Sequence, residues 1–414
     1  MTEKQEIMCK LLILPVNNIE LYSLPVAPNH VSVRLAVMSD LHCRPAGPIS
    51  DSLLAVGGLR LPPEQHPVQA LVDIIRSKGW KADALLVPGD LTNKAAQEGL
   101  SQGWDFALEV GRELGAVVIA VLGNHDVDSK RLQPQRDAFY IARNLHPDFP
   151  FRGEQQRQSF FSDGFCIIDL AEHVQIVLVN TVIDHDNEET AKRGSFDMAR
   201  IAKMRGVLRE RLHTPLRMAM MHHHPILHTG SYLSSADVIP TGDALLSALR
   251  ESGCKLVLHG HKHITRLTTV DGVTVFAAGS FSALLMQFSS VTGNTFHLID
   301  VSQDWEGVIR TWVFQLGRGW HPSNSEYTGF PHAAGFGCTQ STSELAKRLV
   351  SVFNGKVTES RVRHSDIIAA VPTLRYVTPV QFGELNALLA QQGLEVPDWE
   401  SGDFTLWKEY EQEC

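Results

Sequence analysis

Val118-Ile-Ala-Val-Leu-Gly-Asn-His-Asp126 is the stretch on which the fold turns: an apolar run stops at Gly123 and delivers Asn124, His125 and Asp126 in succession. A short apolar run bounded by glycine reads as a buried strand. The same design occurs four more times. Strand-like runs lead from Arg34 to Asp40-Leu41-His42, from Ala84 to Gly89-Asp90, from Leu216 to His222-His223-His224-Pro225, and from Lys255 to His259-Gly260-His261-Lys262-His263. In open α/β sheets the ligand crevice lies beyond the carboxyl ends of the strands, so five such endings can converge on one site.

The intervening chain supplies covering helices. Pro67 to Ser77 places Val68, Leu71, Val72 and Ile75 on one face before Gly79, and Ala95 to Leu114 feeds the strand from Val117. This β-α-β-α-β order predicts an α/β fold with a layered sheet. Further strands are expected over Gly164 to Leu170 and Val174 to Asn180, which can pair as a hairpin, and a helix over Phe196 to Leu212. Beyond Leu216, a helix over Asp243 to Glu251 alternates with strands over Lys255 to Leu258, Val273 to Ala278, Thr295 to Val301 and Gly307 to Val313. Two domains are expected, 1–322 and a small, partly helical C-terminal appendage over 323–414. The appendage is marked by the capping boxes Ser341-Thr-Ser-Glu344 and Thr378-Pro-Val-Gln381.

Two irregular segments attract functional readings. The loop from Cys43 to Pro63 is longer than ordinary connections, which makes Arg44 and Arg60 candidates for contact with a substrate anion. Val127 to Gly164, broken by Pro134, Pro147 and Pro150, reads as a lid over the site or a surface excursion.

A net charge of −9 argues against a nucleic-acid backbone as partner, because phosphate binding wants a basic footprint. No run approaches the roughly 20 apolar residues of a membrane span. The six cysteines show no CxxC or disulfide-framework spacing, which fits free thiols in a reducing compartment and predicts a cytoplasmic protein.

The polar endings suit two divalent ions. Asp40 and His42, at i and i+2, share a face in extended backbone, as do His261 and His263. The Asp90 carboxylate can bridge two ions, and Asn124 adds an amide oxygen. Carboxylate, amide and imidazole donors without cysteine favour Mn²⁺, Fe or Zn²⁺.

The ordered set Asp40-x-His42, Gly89-Asp90, Gly123-Asn124-His125-Asp126, His222-His223-His224-Pro225 and Gly260-His261-x-His263 resembles the calcineurin-like metallophosphoesterase family, especially its bacterial cyclic-nucleotide and phosphodiester branch. The resemblance covers about residues 33 to 315 and implies a four-layer α/β/β/α sandwich around a binuclear metal centre. It implies that Asp40, His42, Asp90 and His263 hold one metal and that Asp90, Asn124, His223 and His261 hold the other. His223 is taken because it stands two residues before Pro225. A hydroxide bridging the metals would attack phosphorus, with His125 donating a proton to the leaving oxygen and Asp126 orienting His125. Asn93, with Arg44 and Arg60, is assigned to the non-bridging oxygens.

The expected activity is hydrolysis of a phosphodiester, with a cyclic nucleotide as one substrate and a small phosphoester or nucleotide as the general class. A phosphomonoesterase or nucleotide pyrophosphatase would use the same centre. A metal-free interaction scaffold is the reading from a different class, and retention of every ligand position speaks against it. The appendage is a candidate surface for a homo-oligomer or a protein partner.

Overall fold

A computed structural model describes residues 31–47, 51–57, 62–129, 135–146, 148–185, 192–211, 216–228, 237–284, 293–356 and 360–408. The expected substrate contact Arg60 lies outside them. In chain order the strands of the main body are β1 (Val31–Val37), β2 (Ala84–Val87), β3 (Val117–Ala120), β4 (Phe165–Ala171), β5 (Val174–Val179), β6 (Leu216–Met220) and β7 (Cys254–His259). They continue with β8 (Arg266–Val270), β9 (Val273–Ala277), β10 (Asn294–Ser302), β11 (Gly307–Gln315), β12 (Gly319–Pro322) and β13 (Ala333–Phe336).

The strands form two sheets. One has the order β12-β11-β10-β1-β2-β3, with β13 also on β11, and the other has the order β4-β5-β6-β7-β9-β8. Parallel pairing joins β1 to β2 and β2 to β3. It also joins β5, β6, β7 and β9 in turn, so the strands that carry the polar endings point the same way within each sheet. The expected hairpin is present as the antiparallel pair β4 and β5.

Period-two alternation sorts the second sheet into two faces. Ile176, Leu178, Met218, Met220, Leu256 and Leu258 join a core shared with Leu35, Val37, Phe296 and Leu298 of the first sheet. Val177, Val179, Ala219, Met221 and Val257 face the opposite way, against Ile201, Met204 and Leu208 of helix Met198–Arg209 and Leu245 and Leu249 of helix Gly242–Glu251. Helices Pro67–Lys78 and Gln97–Leu114 cover the first sheet with Val68, Leu71, Leu100 and Trp104. The result is the four-layer α/β/β/α sandwich. Pro67 at the first helical position and Gly79 at φ 64° bound the first of these helices.

The excursion after Val127 is tied into the main core over its described residues. It contains helices Tyr140–Asn144 and Glu154–Ser162, and Phe149, Phe151 and Phe160 are all buried in the main core. Its phenylalanines pay for order with apolar burial.

The C-terminal part has its own core. Helices Thr342–Asn354, His364–Ala370 and Pro379–Ala390 pack Leu345, Leu349, Ile367, Leu385 and Leu389 together. Both capping boxes form, at Ser341 and Thr378. Strands β14 (Arg361–Val362), β15 (Leu394–Glu395) and β16 (Leu406–Lys408) make a small sheet in the order β14-β16-β15, which the sequence reading did not anticipate. β13, although beyond residue 322, belongs to the first sheet. Among the described residues no helix is long and apolar enough to cross a membrane.

Leu385 is fully buried at the centre of the third core. Leu385→Ala is expected to destabilise this unit by about 2–5 kcal/mol, through lost burial and the cavity left behind. Urea unfolding followed by intrinsic fluorescence measures this, and a change below about 1 kcal/mol contradicts the packing described.

Candidate metal centre

The five polar endings meet at the carboxyl ends of β1, β2, β3, β6 and β7. Backbone hydrogen bonds knit them together: Asp40 N–H donates to Gly89 O at 3.1 Å, His42 N–H to Asp90 O at 2.9 Å, and Gly260 N–H to His222 O at 3.1 Å. The His261 N–H in turn donates to the Asp40 carboxylate, 3.1 Å from Oδ1.

Two donor sets share one oxygen. Asp90 Oδ2 lies 3.5 Å from His42 Nε2 and 3.4 Å from His222 Nε2. On the His42 side, His263 Nε2 is 3.0 Å from His42 Nε2 and 3.3 Å from Asp40 Oδ1. On the His222 side, Asn124 Oδ1 is 3.1 Å from His222 Nε2 and 3.0 Å from His261 Nδ1. Asp40, His42, Asp90 and His263 therefore surround one point, and Asp90, Asn124, His222 and His261 another.

His222 thus occupies the place the sequence reading gave to His223. His222 continues the inward parity of Met218 and Met220, and His223 stays close by, with one ring nitrogen each of His222, His223 and His261 within 4.8 Å of one another. The alternation along β6, rather than the spacing to Pro225, marks His222. His223 Nδ1 lies 2.9 Å from Thr181 Oγ1, and its ring packs 4.5 Å from that of His261.

Ring tautomers are fixed by carbonyls, which can only accept. His222 Nδ1 is 2.7 Å from Pro88 O, which makes Nδ1 the donor and directs Nε2 at Asp90 and Asn124. His261 Nε2 is 2.7 Å from Lys192 O, so its Nδ1 lone pair faces Asn124 Oδ1. Two acceptors then lie in contact with no hydrogen between them, an arrangement a cation resolves. His263 Nδ1 is buried without a hydrogen-bond partner among the described residues. The donors, oxygen and neutral nitrogen with no thiolate, fit a pair of divalent ions.

The electrostatics agree. Burial opposes ionisation of Asp90, yet His222 and His125 hold its carboxyl well below the usual range. Burial lowers His42 to about 3, which leaves a neutral imidazole. For His222 burial acts in the same direction, but the Asp90 carboxylate overcomes it and the ring is pushed up to about 9. The cavity draws positive charge to this point.

The backbone differs from expectation in one respect. Asp40, His42, Asp90, His261 and His263 have φ of 53°, 46°, 53°, 84° and 58°, so convergence comes from left-handed turns and not from extended i, i+2 geometry. Gly123 and Gly260 make room: a Cβ on the first would fall on the Asp90 carboxylate, and one on the second on the Asp40 carboxylate.

Asp126 does not orient His125. Its Oδ1 accepts from Thr92 N–H at 3.0 Å and its Oδ2 from Gly123 N–H at 2.9 Å, stapling two ligand loops together. Burial and the neighbouring Asp90 push Asp126 up to about 7, against the pull of those two donors. His125, half-buried, is held by Asn93. Asn93 Nδ2 donates to Asp51 Oδ2 at 2.9 Å, which turns Asn93 Oδ1 toward His125 Nδ1 at 3.1 Å. The Lys94 N–H also lies 3.3 Å from that nitrogen, but the shorter contact, to an obligate acceptor, makes Nδ1 the donor. Lys94 Nζ completes the chain with a 2.9 Å contact to Asp51, a partner that lies in the irregular loop where no periodicity marks it. Arg44 does not reach for an anion: Nε donates to Ser52 O at 3.1 Å and Nη1 to Gly47 O at 2.7 Å, both within its own loop.

Comparison with known proteins accords with this geometry. The model of the calcineurin-like phosphoesterase family matches residues 33–265, and a second model, wHTH-Calcineurin_assc, matches residues 334–391, within the C-terminal unit. A cAMP/cGMP dual specificity phosphodiesterase of Mycobacterium tuberculosis is 25% identical over 215 residues, which are 51% of this chain and 58% of that protein, so the match spans little more than half of the relative's length. Similar solved structures include a dimetal phosphatase from Danio rerio, at 14% identity and TM-score 0.45, covering 68% of this chain and 96% of that one. A purple acid phosphatase from yellow lupin (Lupinus luteus) seeds aligns at 13% identity and TM-score 0.47, covering 70% and 53%. With the family model spanning more than half of its length, the chain belongs to the calcineurin-like phosphoesterase family.

Proposed function

We propose that the protein is a binuclear-metal phosphodiesterase, and the observation that carries this reading is the position of Asp90 Oδ2 between two separate donor sets. Asp40, His42, Asp90 and His263 would hold one ion, and Asp90, Asn124, His222 and His261 the other, with Mn²⁺, Fe or Zn²⁺ suited to the donors. Such a pair, when bound, supplies a water of lowered pKa and charge stabilisation for in-line displacement at phosphorus. A diester, with cyclic nucleotides foremost, is supported by the 25% identical phosphodiesterase. We further place the enzyme in the cytoplasm, on the free thiols Cys43, Cys166, Cys254 and Cys338.

The chain's own residues supply the proton chemistry. His125 stands at the rim, its ring 4.6 Å from that of His42, where a leaving oxygen can be reached. With Nδ1 donating to Asn93, Nε2 is the nitrogen that passes a proton to that oxygen. Asn93 is therefore a positioning residue for His125, in place of the oxygen-binding role read from the sequence.

Hydrolysis of cAMP, cGMP and bis(p-nitrophenyl) phosphate by protein stripped with chelator and reloaded with Mn²⁺ tests the reading. Metal-restored diester cleavage, abolished in Asp90→Ala, is expected. Preference for p-nitrophenyl phosphate would move the assignment to a monoesterase, and no hydrolysis at all with metal bound would overturn it.

Two further outcomes follow from the geometry. Gly123→Ala drives a methyl group into the Asp90 carboxylate and is expected to lose at least one bound metal, read by elemental analysis of folded protein. Asn93→Ala is expected to lower kcat on cAMP by on the order of tenfold or more with little change in KM or metal content. The loss should shrink on bis(p-nitrophenyl) phosphate, whose leaving group needs no proton, and an equal loss on both substrates counts against the role given to His125.

A further inference from the structure

Behind the two donor sets lies a third group of histidines that the phosphoesterase centre does not use. His224, His228 and His259 are 2%, 3% and 0% exposed. Each offers a ring nitrogen, and these nitrogens all lie within 4.8 Å of one another. His228 Nε2 and His259 Nε2 are 3.0 Å apart. The His224 ring packs 4.3 Å from that of His259 and 5.5 Å from that of His228.

Ordinary core histidines have their nitrogens hydrogen-bonded, because a buried polar group left unpaired is costly. Here neither nitrogen of His224, both buried, has a hydrogen-bond partner among the described residues. His259 Nδ1 lies 3.3 Å from Gly260 O, an acceptor, which leaves the Nε2 lone pair directed toward His228. Three imidazoles in mutual reach, with one doubly unpaired, have the composition of a three-histidine cation site rather than of a closed hydrogen-bond network. Such a donor set, with a water completing four-coordination, is one that Zn²⁺ takes readily.

We propose that His224, His228 and His259 bind a third divalent cation, Zn²⁺ by its donor set, separate from the pair held around Asp90. The site joins the segment after β6 to the end of β7. Those two segments also carry His222 and His261, and the rings of His224 and His261 are 6.0 Å apart. The third ion is thus a brace that fixes the relative placement of two catalytic-centre histidines from behind, and it takes no part in the chemistry at phosphorus.

Elemental analysis of the full chain, stripped with chelator and dialysed against Zn²⁺, tests the proposal. Wild type should hold about three ions per chain, His228→Gln about two, and Asp90→Asn about one. His228→Gln should keep bis(p-nitrophenyl) phosphate hydrolysis within about threefold of wild type while losing the part of the Zn²⁺ protection against heating that the third ion supplies. Equal metal content in wild type and folded His228→Gln overturns the proposal, whatever becomes of the diesterase reading. Where His228→Gln fails to fold, Asp90→Asn loaded with Co²⁺ decides. One equivalent with the intense visible absorption of four-coordinate cobalt supports the site, and absence of that band overturns it.

Discussion

The constraint from which the rest follows is a carboxylate taken out of water. Asp90 is 1% exposed, and a buried carboxylate is tolerated only where positive charge and hydrogen bonds replace its hydration. Oδ1 accepts from the His125 N–H at 2.8 Å, and Oδ2 lies between His42 and His222. These partners follow β3, β1 and β6, and the chain turns sharply immediately after β1, β2 and β7, where Asp40, His42, Asp90, His261 and His263 stand. Left-handed backbone at Asp40, His42, Asp90, His261 and His263 provides those turns, at about 1–3 kcal/mol each for residues that carry a Cβ.

That strain is offset by hydrogen bonds between neighbouring turns rather than within them. Cys43 N–H donates to Leu91 O at 2.9 Å, and Phe281 N–H to Ser39 O at 2.7 Å. Ser280 Oγ donates to Asp40 O at 2.7 Å. The Asp126 carboxylate closes the gap between the turns after β2 and β3. Each strained turn is therefore held by residues of another strand end, and the donor sets are kept together by contacts of the chain itself. Such preorganisation is what metal sites require, since ligands that must first be gathered lose affinity to ordering.

Strand endings were legible in the sequence because strands are local: an apolar run and its terminating glycine occupy adjacent positions. Helix bounds were legible for the same reason, as the glycine after Lys78 and the capping box at Ser341 show. Side-chain direction was harder. Among three consecutive histidines only the parity of β6 picks out His222, and distance to Pro225 carries no information about that parity. The roles of Asp126, Arg44 and Asn93 were out of reach, because each rests on a backbone or carboxylate partner distant in sequence: Thr92 for Asp126, eight residues of loop for Arg44, Asp51 for Asn93. The short strands β14, β15 and β16, of two or three residues each, are too brief for alternation to register.

The attachment of the C-terminal unit bears on how it can influence the centre. It rests on β13, where Cys338 N–H donates to Tyr376 O at 3.2 Å, and Glu400 accepts from Ser325 N–H at 3.2 Å. From β13 a continuous ladder runs through β11 and β10 to β1, whose end carries Asp40 and His42. A route of contacts is not yet coupling, which needs an element with two arrangements. β10 and β11 are buried along nearly their whole length and paired on both edges, which leaves them no second register of comparable energy. An appended unit attached in this way therefore has, among the described residues, no element of two arrangements through which to bend the centre.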